Sequence, residues 1–229
     1  MIFSMGVFIR DFRDDPPRSG TAVIIDVVRF STTVCALLQR RRSTVLAADT
    51  PRDLAAIPGL HGHDVFSELD FTGHDRRFDN SPVKALALAA TRPAALCTTT
   101  GSRALLASMR ASQVLIGCFA NFHKIARTLK TATGDIHLIP AAWPTRSNPD
   151  ASEDLECARA WKQLLETGKD TAGQRIGKIA TSARVAQFLA FRPDNISDLC
   201  YCLGLDNLPV LPQAHTLADA RGLAVIVRR

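Results

Sequence analysis

The sequence lacks the short motifs that define several large classes of enzyme. Its 229 residues contain no Walker sequence, no Gly-x-Gly-x-x-Gly and no His-Glu-x-x-His. These absences argue against a P-loop nucleotide site, a dinucleotide-binding fold and a zinc protease. A Gly-x-Ser-x-Gly turn is also missing, which disfavours an enzyme of the α/β-hydrolase type.

Metal-binding cysteine patterns are missing as well. The six cysteines are scattered, without a Cys-x-x-Cys pair or a Cys/His spacing typical of zinc. Several lie in apolar runs, where a free thiol behaves as a small hydrophobic group. His61, His63 and His74 share one stretch without a regular period, and we interpret them as solvated loop residues, with an approach to a metal as the alternative. A reducing cytoplasm is the expected compartment.

Long apolar runs are also absent. No stretch is long enough to span a bilayer. The N-terminal segment carries charges from Arg10 to Asp15, where a signal peptide would have an apolar run. The sequence therefore predicts a cytoplasmic protein that makes no membrane contact.

Basic residues are in excess, but they are not clustered. The net charge is +6 and the pI about 9.3. The basic run Arg40–Arg42 has no aromatic platform beside it, so nucleic acid is not an expected partner. We place this run at the end of the first helix, where cations are favoured. The excess charge indicates either a mildly basic surface or a basic cleft that attracts a small anion.

What the chain does contain is an alternation of strand-like and helix-like segments. Apolar residues make up 46% and charged residues 22% of the sequence, as in ordinary globular proteins. We interpret residues 1–229 as a single α/β layered domain. Strands are predicted at 22–25, 43–48, 94–97, 114–117, 136–139 and 222–227, and helices at 104–109, 121–130, 151–166, 182–191 and 194–203. A further helix is predicted to begin at the cap Ser81, with Pro82 in its first turn and Ala85, Leu86 and Ala89 on its buried face. Asp150 and Asp194 are the predicted caps of the helices at 151–166 and 194–203. Residues 61–77 are predicted to be a long irregular loop.

The central stretch runs from Thr21 to Ala36 and reads TAVIIDVVRFSTTVCA. An apolar strand leads into Asp26, Arg29 and several hydroxyl residues, and an apolar helical face follows. In open α/β sheets ligands lie beyond the carboxyl ends of the strands. The free N–H groups at a helix start suit a phosphate.

Four such strand-to-helix turns carry polar residues. They contain Asp26, Arg29, Ser31 and Thr32; Thr98, Thr99, Ser102 and Arg103; Asn121; and Glu153 with Asp154. Each has a simpler explanation: turn or cap residues for the aspartate and asparagine, surface positions for the arginines, and the helix dipole for the two acids. Taken together, they indicate a site where arginines hold a phosphate and carboxylates hold Mg²⁺.

Several of these segments resemble the motifs of the 2-phosphosulfolactate phosphatase family, in the same order and with similar spacing. IDVVRFSTT resembles the family's IDVxRAxTT, and NSP resembles its GNSP. TTTGSRAL is similar to TTNGTRAL, IGCFAN to xGSxxN, and SEDLECA to EDxxCAG. These matches lie at 25–33, 80–82, 98–105, 116–121 and 152–158, with a fainter match near Asp198, Cys202 and Pro209.

The resemblance implies a three-layer α/β/α fold with a mixed sheet. It further implies Mg²⁺-dependent removal of phosphate from a small sulfonated or carboxylated acid, which in the named case is conversion of 2-phosphosulfolactate to 3-sulfolactate. The family is associated with coenzyme M biosynthesis, and a homodimer is expected.

The implied site comprises a metal group and a substrate group. The predicted metal ligands are Asp26, Glu68, Glu153 and Asp154, and the predicted catalytic residues are Asp26, Arg29 and Arg103. The predicted substrate contacts are Ser31, Thr32, Asn80, Ser81, Thr98, Thr99, Ser102 and Asn121.

The chain also departs from the family pattern. An arginine expected near the Ser67-Glu68-Leu69 element is missing, and the Ala-Gly ahead of the acidic helix is Ala141-Ala142. The other departures are Phe30 for Ala, Asp79 for Gly, Thr100 for Asn and Arg159 for Gly. They favour, as an alternative, a relative that binds a phosphorylated or sulfonated metabolite without turnover. A third hypothesis, a nucleic-acid binder, rests only on charge.

Overall fold

The computed structural model describes residues 6–42, 44–70, 74–143, 153–191, 195–217 and 222–229. Within these ranges the chain alternates between strands and helices. The strands are β1 Val7–Ile9, β2 Thr21–Ile25, β3 Thr44–Ala48, β4 Asp64–Phe66, β5 Arg77–Phe78, β6 Ala94–Cys97, β7 Gln113–Gly117, β8 Ile136–Pro140, β9 Pro212–Thr216 and β10 Leu223–Arg228.

The helices connect and cover the strands. They are α1 Phe30–Gln39, α2 Pro51–Ala55, α3 Pro82–Ala87, α4 Gly101–Ala107, α5 Phe122–Leu129, α6 Glu153–Thr167, α7 Ala172–Ala180, α8 Ala183–Phe191 and α9 Ile196–Cys202. Short 3-10 helices lie at Leu60–Gly62 and Phe119–Asn121. None of the helices in the described ranges combines the length and the apolar character needed to cross a membrane.

All of these strands belong to one mixed sheet with the order β1-β8-β2-β7-β9-β10-β3-β6-β4-β5. The strands β1, β8, β2 and β7 form one parallel group, and β3, β6, β4 and β5 form another. Between them, β9 and β10 are antiparallel to their neighbours. The predicted α/β class, with a mixed sheet covered by helices, is therefore confirmed.

The two parallel groups run in opposite senses, yet their carboxyl ends meet. The Thr100 hydroxyl, beyond β6, donates to the Asp26 carboxylate, beyond β2, at 3.3 Å. Five strand pairs separate β2 from β6. A right-handed twist of roughly 20–25° per pair turns the second group through about 100–125°, which lets the two edges approach.

The core lies around β2 and α1. All five residues of β2 are buried, as are the residues of α1 from Phe30 to Leu38. The long helix α6 is fixed to this core by Trp161, whose ring stacks on Phe122 with centroids 5.1 Å apart. The six free thiols include five that are buried, in line with their apolar sequence context. This packing fixes the start of α6 against the end of β2.

The predicted irregular loop at 61–77 was partly wrong. It contains β4 and borders β5, and its first strand residue, Asp64, is fully buried. Asp64 is ion-paired with Arg42 and Arg76, each at 2.6 Å. A polar residue in this position hid the strand, and Arg42 is a buried partner instead of a solvated helix-end cation.

Other elements were missed or shifted because their apolar signal is weak. The helix α7 buries only Ala172 and Ile179, and the strand β9 is half polar. Ser81 caps α3 as predicted, by accepting the Lys84 N–H at 3.1 Å. That helix ends at Ala87, so Ala89, expected on its buried face, is exposed. The predicted caps Asp150 and Asp194 lie outside the described residues.

Candidate active site

Asp26 follows β2 directly and is only 5% exposed. Its Oδ1 accepts the Phe30 N–H at 3.2 Å, and its Oδ2 accepts the Thr100 hydroxyl at 3.3 Å. The turn is braced by Ser31, whose Oγ accepts the Asp26 N–H at 3.0 Å and whose N–H donates to the Asp26 carbonyl at 2.9 Å. The short strand-to-helix turn therefore holds the carboxylate at the junction of the two sheet edges.

Asp154 joins the first turn of α6 to two strand ends. Its Oδ1 accepts the Val27 N–H, beyond β2, at 2.7 Å, and its Oδ2 accepts the Ala142 N–H, beyond β8, at 3.0 Å. The side chain is 2% exposed, and the neighbouring Glu153 is 5% exposed. Both carboxylate oxygens of Asp154 thus hold the protein backbone together beside Asp26.

Glu68 and Asn80 lie beyond the carboxyl ends of β4 and β5, in the second parallel group of strands, at positions that correspond in the two strands. Phe66 of β4 pairs with Phe78 of β5, and each polar residue lies two positions beyond its paired phenylalanine. Glu68 Oε1 accepts both the N–H and the hydroxyl of Thr99, at 2.8 and 3.1 Å. Glu68 Oε2 and Asn80 Oδ1 are buried acceptors that receive no hydrogen bond within the described ranges. Buried oxygens of this kind are satisfied by an ordered water, an ion or a donor from a ligand.

The acidic residues influence one another strongly. Burial, followed by the charges of Glu68 and Glu153, raises the pKa of Asp26 from 3.8 to about 7. Burial and the charges of Asp26 and Glu153 likewise raise the pKa of Asp154 well above its ordinary value. Like charges this close cannot all remain ionised without a compensating cation. The site therefore favours protons or a positively charged ligand.

Folding stability in the absence of divalent cations should fall as the pH rises from about 4 to about 7. The folded protein keeps the Asp26 proton up to a pKa of about 7, whereas the unfolded chain releases it near the ordinary value. Between these two pKa values the folded state binds more protons than the unfolded state. The stabilisation by the Asp26 proton is therefore complete at about pH 4 and lost by about pH 7. Urea unfolding in EDTA across this range measures the effect.

The comparison protein for that measurement is Asp26→Asn, which cannot release the proton. Its unfolding free energy should decline less steeply with pH than that of the wild type. Identical slopes for the two proteins would contradict the assignment of this carboxyl as the buried proton acceptor.

The turn after β6 is built from reciprocal hydrogen bonds. Ser102 Oγ accepts the Thr98 N–H, and Thr98 Oγ1 accepts the Ser102 N–H, both at 3.0 Å. Both side chains are buried. Gly101 lies so close to Asp26 that an added Cβ would be 2.5 Å from the Asp26 Oδ2. The glycine is needed here for close approach, which its place in the TTTGSRAL segment did not reveal.

Arg29 lies near the acidic group but is already paired. Its Nη1 donates to Asp198 at 2.8 Å and its Nη2 lies 2.9 Å from Asp79. Asp198 also accepts the Ser81 hydroxyl at 2.6 Å and the Val83 N–H at 3.2 Å. The buried Asp198 thus ties α9 to the starts of α1 and α3. In the sequence, only the faint family match near Asp198 marked this residue, and it was not among the predicted site residues.

Replacing Asp198 with alanine should destabilise the protein by about 3–5 kcal/mol, because Arg29 would lose a buried partner. Chemical denaturation measures this loss. Asp75→Ala is a matched control, since Asp75 is exposed and forms no ion pair with another residue in the described part of the chain. Equal stability of the two variants would show that the Arg29–Asp198 pair is not a structural link.

Three predicted substrate contacts serve the fold. Ser31 braces the turn after β2, and Thr32 donates its hydroxyl to the Val27 carbonyl at 2.8 Å. Asn121 accepts the Cys118 N–H and donates to the carbonyls of Ile116 and Val210, at 2.9, 3.1 and 3.2 Å. These side chains have structural partners, and their substrate contact remains a prediction.

Arg103, in the first turn of α4, is exposed. It lines an open cavity of about 1020 Å³ together with Asp49, Leu106 and Leu223. The structure gives no contact between Arg103 and Asp26 among the described residues. The structure brings together four predicted carboxylates, those of Asp26, Glu68, Glu153 and Asp154. Thr99 and the turn formed by Thr98 and Ser102 join this group. Arg29 is paired with Asp79 and Asp198 beside it.

A metal site depends on the oxygen donors that the fold brings together. Within the described ranges, no group of three or more His, Cys, Asp and Glu side chains is arranged to hold a metal ion. Mg²⁺ in enzymes is usually bound by only one or two carboxylates, with water and phosphate oxygens completing the shell. Asp26 and the free oxygen of Glu68 fit that smaller donor set.

The mixed sheet and the buried carboxylates at its strand ends define an α/β protein with an acidic cluster where the two sheet edges meet. The family model of 2-phosphosulpholactate phosphatase matches residues 10–216, and the chain belongs to this family. A protein of Synechococcus sp. (strain JA-3-3Ab), described as a probable 2-phosphosulfolactate phosphatase, is 27% identical over 223 residues. That alignment covers 84% of this chain and 87% of the relative.

Proposed function

We propose that the protein is a Mg²⁺-dependent phosphatase that hydrolyses the phosphate ester of a small sulfonated or carboxylated acid. The observation that carries the proposal is the convergence of buried carboxylates where the ends of β2, β4 and β6 meet. Membership of the family supports the reaction class. In the named family case the substrate is 2-phosphosulfolactate and the organic product is 3-sulfolactate.

In this proposal Asp26 and Glu68 hold the metal, which would neutralise phosphate charge and lower the pKa of bound water. Asp154 keeps Asp26 in place through the backbone of β2 and β8. Glu153 adds negative charge, which makes the site more favourable for a cation. Phosphoryl transfer depends mainly on positioning and charge neutralisation, so these residues supply the principal requirements without a dedicated nucleophile.

The substrate phosphate would lie against the turn after β6. Thr99 is exposed there, and its hydroxyl and N–H both donate hydrogen bonds to Glu68 Oε1. The Asn80 amide is the neighbouring polar group on the next strand end. Arg29 can add a charged contact only if the substrate displaces Asp79, which is the more exposed of its two partners at 31% against 5% for Asp198.

This occupied arginine is the observation that favours the alternative, a relative that binds the metabolite without turnover. The family pattern has Gly where this chain has Asp79. A chain with Gly at this position cannot form the Arg29–Asp79 ion pair. Asp79→Gly should lower KM severalfold, because the guanidinium fork becomes available to the substrate anion. Steady-state kinetics measure this change. An unchanged KM would mean that Arg29 does not contact the substrate.

A phosphate-release screen tests the proposal. Phosphorylated 2-hydroxy acids, including 2-phosphosulfolactate, are supplied with Mg²⁺ or with EDTA. We expect metal-dependent release that is lost in Asp26→Asn. Thermal stabilisation by the same compounds without release would support the non-catalytic alternative, and salt-sensitive binding of generic DNA would support a nucleic-acid binder. A cytoplasmic homodimer is part of the proposal, and sedimentation analysis tests the dimer.

A further inference from the structure

The imidazole ring of His123 lies between two carboxylates that come from different parts of the chain. His123 is in the first turn of α5, Asp206 lies in the loop after α9, and Asp170 lies two residues before α7. The ring Nδ1 contacts Asp206 Oδ2, and the ring Nε2 lies 2.8 Å from Asp170 Oδ2. Both ring nitrogens therefore face a hydrogen-bond acceptor, and the histidine joins three separate elements.

Each of these carboxylates also caps a helix with its second oxygen. Asp206 Oδ1 accepts the His123 N–H at 2.9 Å, and Asp170 Oδ1 accepts the Ala172 N–H, at the start of α7, at 2.9 Å. Backbone N–H groups in the first turn of a helix have no partner within the helix and need such acceptors. The Asp206 N–H also donates to the Phe119 carbonyl at 3.0 Å. Both carboxylates are therefore held in place by the backbone, whatever the charge of the ring between them.

This arrangement suits the protonated ring. A charged imidazole donates from both nitrogens, whereas the neutral ring has a single N–H, so one carboxylate would then face a lone pair. The charged groups that act on the ring are Asp206 and Asp170. The hydrogen bond to Asp206 is the largest influence, and together with that to Asp170 it outweighs partial burial and raises the pKa of His123 above 6.5. The ring therefore keeps its charge at pH values where a histidine in an unfolded chain has begun to lose its proton.

We propose that His123 is a pH-sensitive clamp that releases the start of α7 when its ring loses a proton. Asp206 also receives the His123 backbone N–H, and it is the less exposed carboxylate, at 32% against 44% for Asp170. The remaining ring proton therefore stays on Nδ1, and Nε2 presents a lone pair to Asp170. This step breaks the contact between α5 and the segment before α7, while Thr171 keeps its hydrogen bond to Gln163 of α6 at 3.1 Å. The clamp needs no phosphatase activity, so it is independent of the proposed function.

The clamp acts in the neutral to alkaline range. Because the pKa of His123 is raised in the folded protein, its stabilisation is complete below about pH 6.5 and is lost as the pH rises through the folded-state pKa. Amide hydrogen exchange, corrected for its intrinsic pH dependence, measures the opening of α7. Protection of the α7 amides should fall about two- to fivefold between about pH 6 and about pH 9, which is the effect of a partly exposed ion pair.

Asp170→Asn separates the clamp from a general effect of pH. The asparagine amide accepts a hydrogen bond from the charged ring and donates one to the neutral ring, so protection of α7 should not fall in this variant. Asp14→Asn is the matched control, since Asp14 is exposed in the loop between β1 and β2, and it should behave as the wild type does. An equal fall in Asp170→Asn and the wild type, or no fall in the wild type, would overturn the inference.

An NMR titration of the His123 ring gives a second, direct readout. Asp206→Asn and Asp170→Asn should each lower the pKa of His123 relative to the wild type, with the larger change in Asp206→Asn, because that hydrogen bond has the greater influence. The asparagine in Asp206→Asn retains an acceptor for the His123 N–H, so the cap of α5 is kept. Asp14→Asn should leave the titration unchanged. If neither variant moved it, the two carboxylates would not hold the ring in its charged form and the clamp would fail.

Discussion

Asp26→Asn is expected to lower Mg²⁺-dependent phosphate release by about 10²–10³-fold. The amide lacks the negative charge that holds the metal in this proposal, at the residue where the two sheet edges meet. The same change should stabilise the cation-free protein at pH 8. The rise in the pKa of Asp26 from 3.8 to about 7 means that folding disfavours the ionised carboxylate by about 4 kcal/mol. The neutral amide of asparagine removes part of this free-energy cost.

The measurements are phosphate release and chemical denaturation in EDTA at pH 8. Asp14→Asn is the matched control, since Asp14 is exposed in the loop between β1 and β2. The control should keep the activity and stability of the wild type. Undiminished phosphate release by Asp26→Asn would remove this residue from the reaction. Lower stability at pH 8 would contradict the view that the buried charge is unfavourable in the absence of a cation.

Gly101→Ala is expected to damage the site and the fold together. The new methyl group would lie 2.5 Å from both the Asp26 Oδ2 and the Phe30 Cβ, far inside normal contact. Overpacking of this kind destabilises by about 1–3 kcal/mol. A displacement of about 1 Å at a reacting group lowers the rate by about a hundredfold. Denaturation and phosphate release on the same preparation measure both effects.

Gly177→Ala is the control for Gly101→Ala. Gly177 lies within α7, is exposed, and would place its Cβ in open space. Alanine there should stabilise the helix by roughly 0.5–1 kcal/mol and leave phosphate release unchanged. If both glycine variants behaved alike, the close approach of α4 to Asp26 would have no functional importance.

The parts of the fold with strong local signals were predictable. The apolar run of β2 and the polar residues after it identified Asp26, and the alternation of elements identified the α/β class. Ser81 and Pro82 marked the start of α3. Where a strand begins with a buried charge, as β4 does with Asp64, local patterning failed because ion pairs with Arg42 and Arg76 replace the apolar contacts.

The candidate site was harder to predict because its partners are distant in the sequence. The sequence shows that Arg29 follows Asp26, but it does not show that Asp198, 169 residues later, pairs with it. Likewise, the contact between Thr100 and Asp26 depends on the twist of the whole sheet. Asn121 donates a hydrogen bond to the carbonyl of Val210. This structural role could not be predicted, because the sequence around Asn121 does not show that Val210 lies beside it.

The most direct test of the account is a crystal structure with Mn²⁺, which substitutes for Mg²⁺ at oxygen-rich sites and is located by its anomalous scattering. With inorganic phosphate added to the same crystals, we expect a single strong peak for an ion bound by Asp26 and Glu68. The phosphate should lie on the open side of this ion, next to Thr99. A peak at other carboxylates only, or no peak at saturating Mn²⁺, would contradict the account.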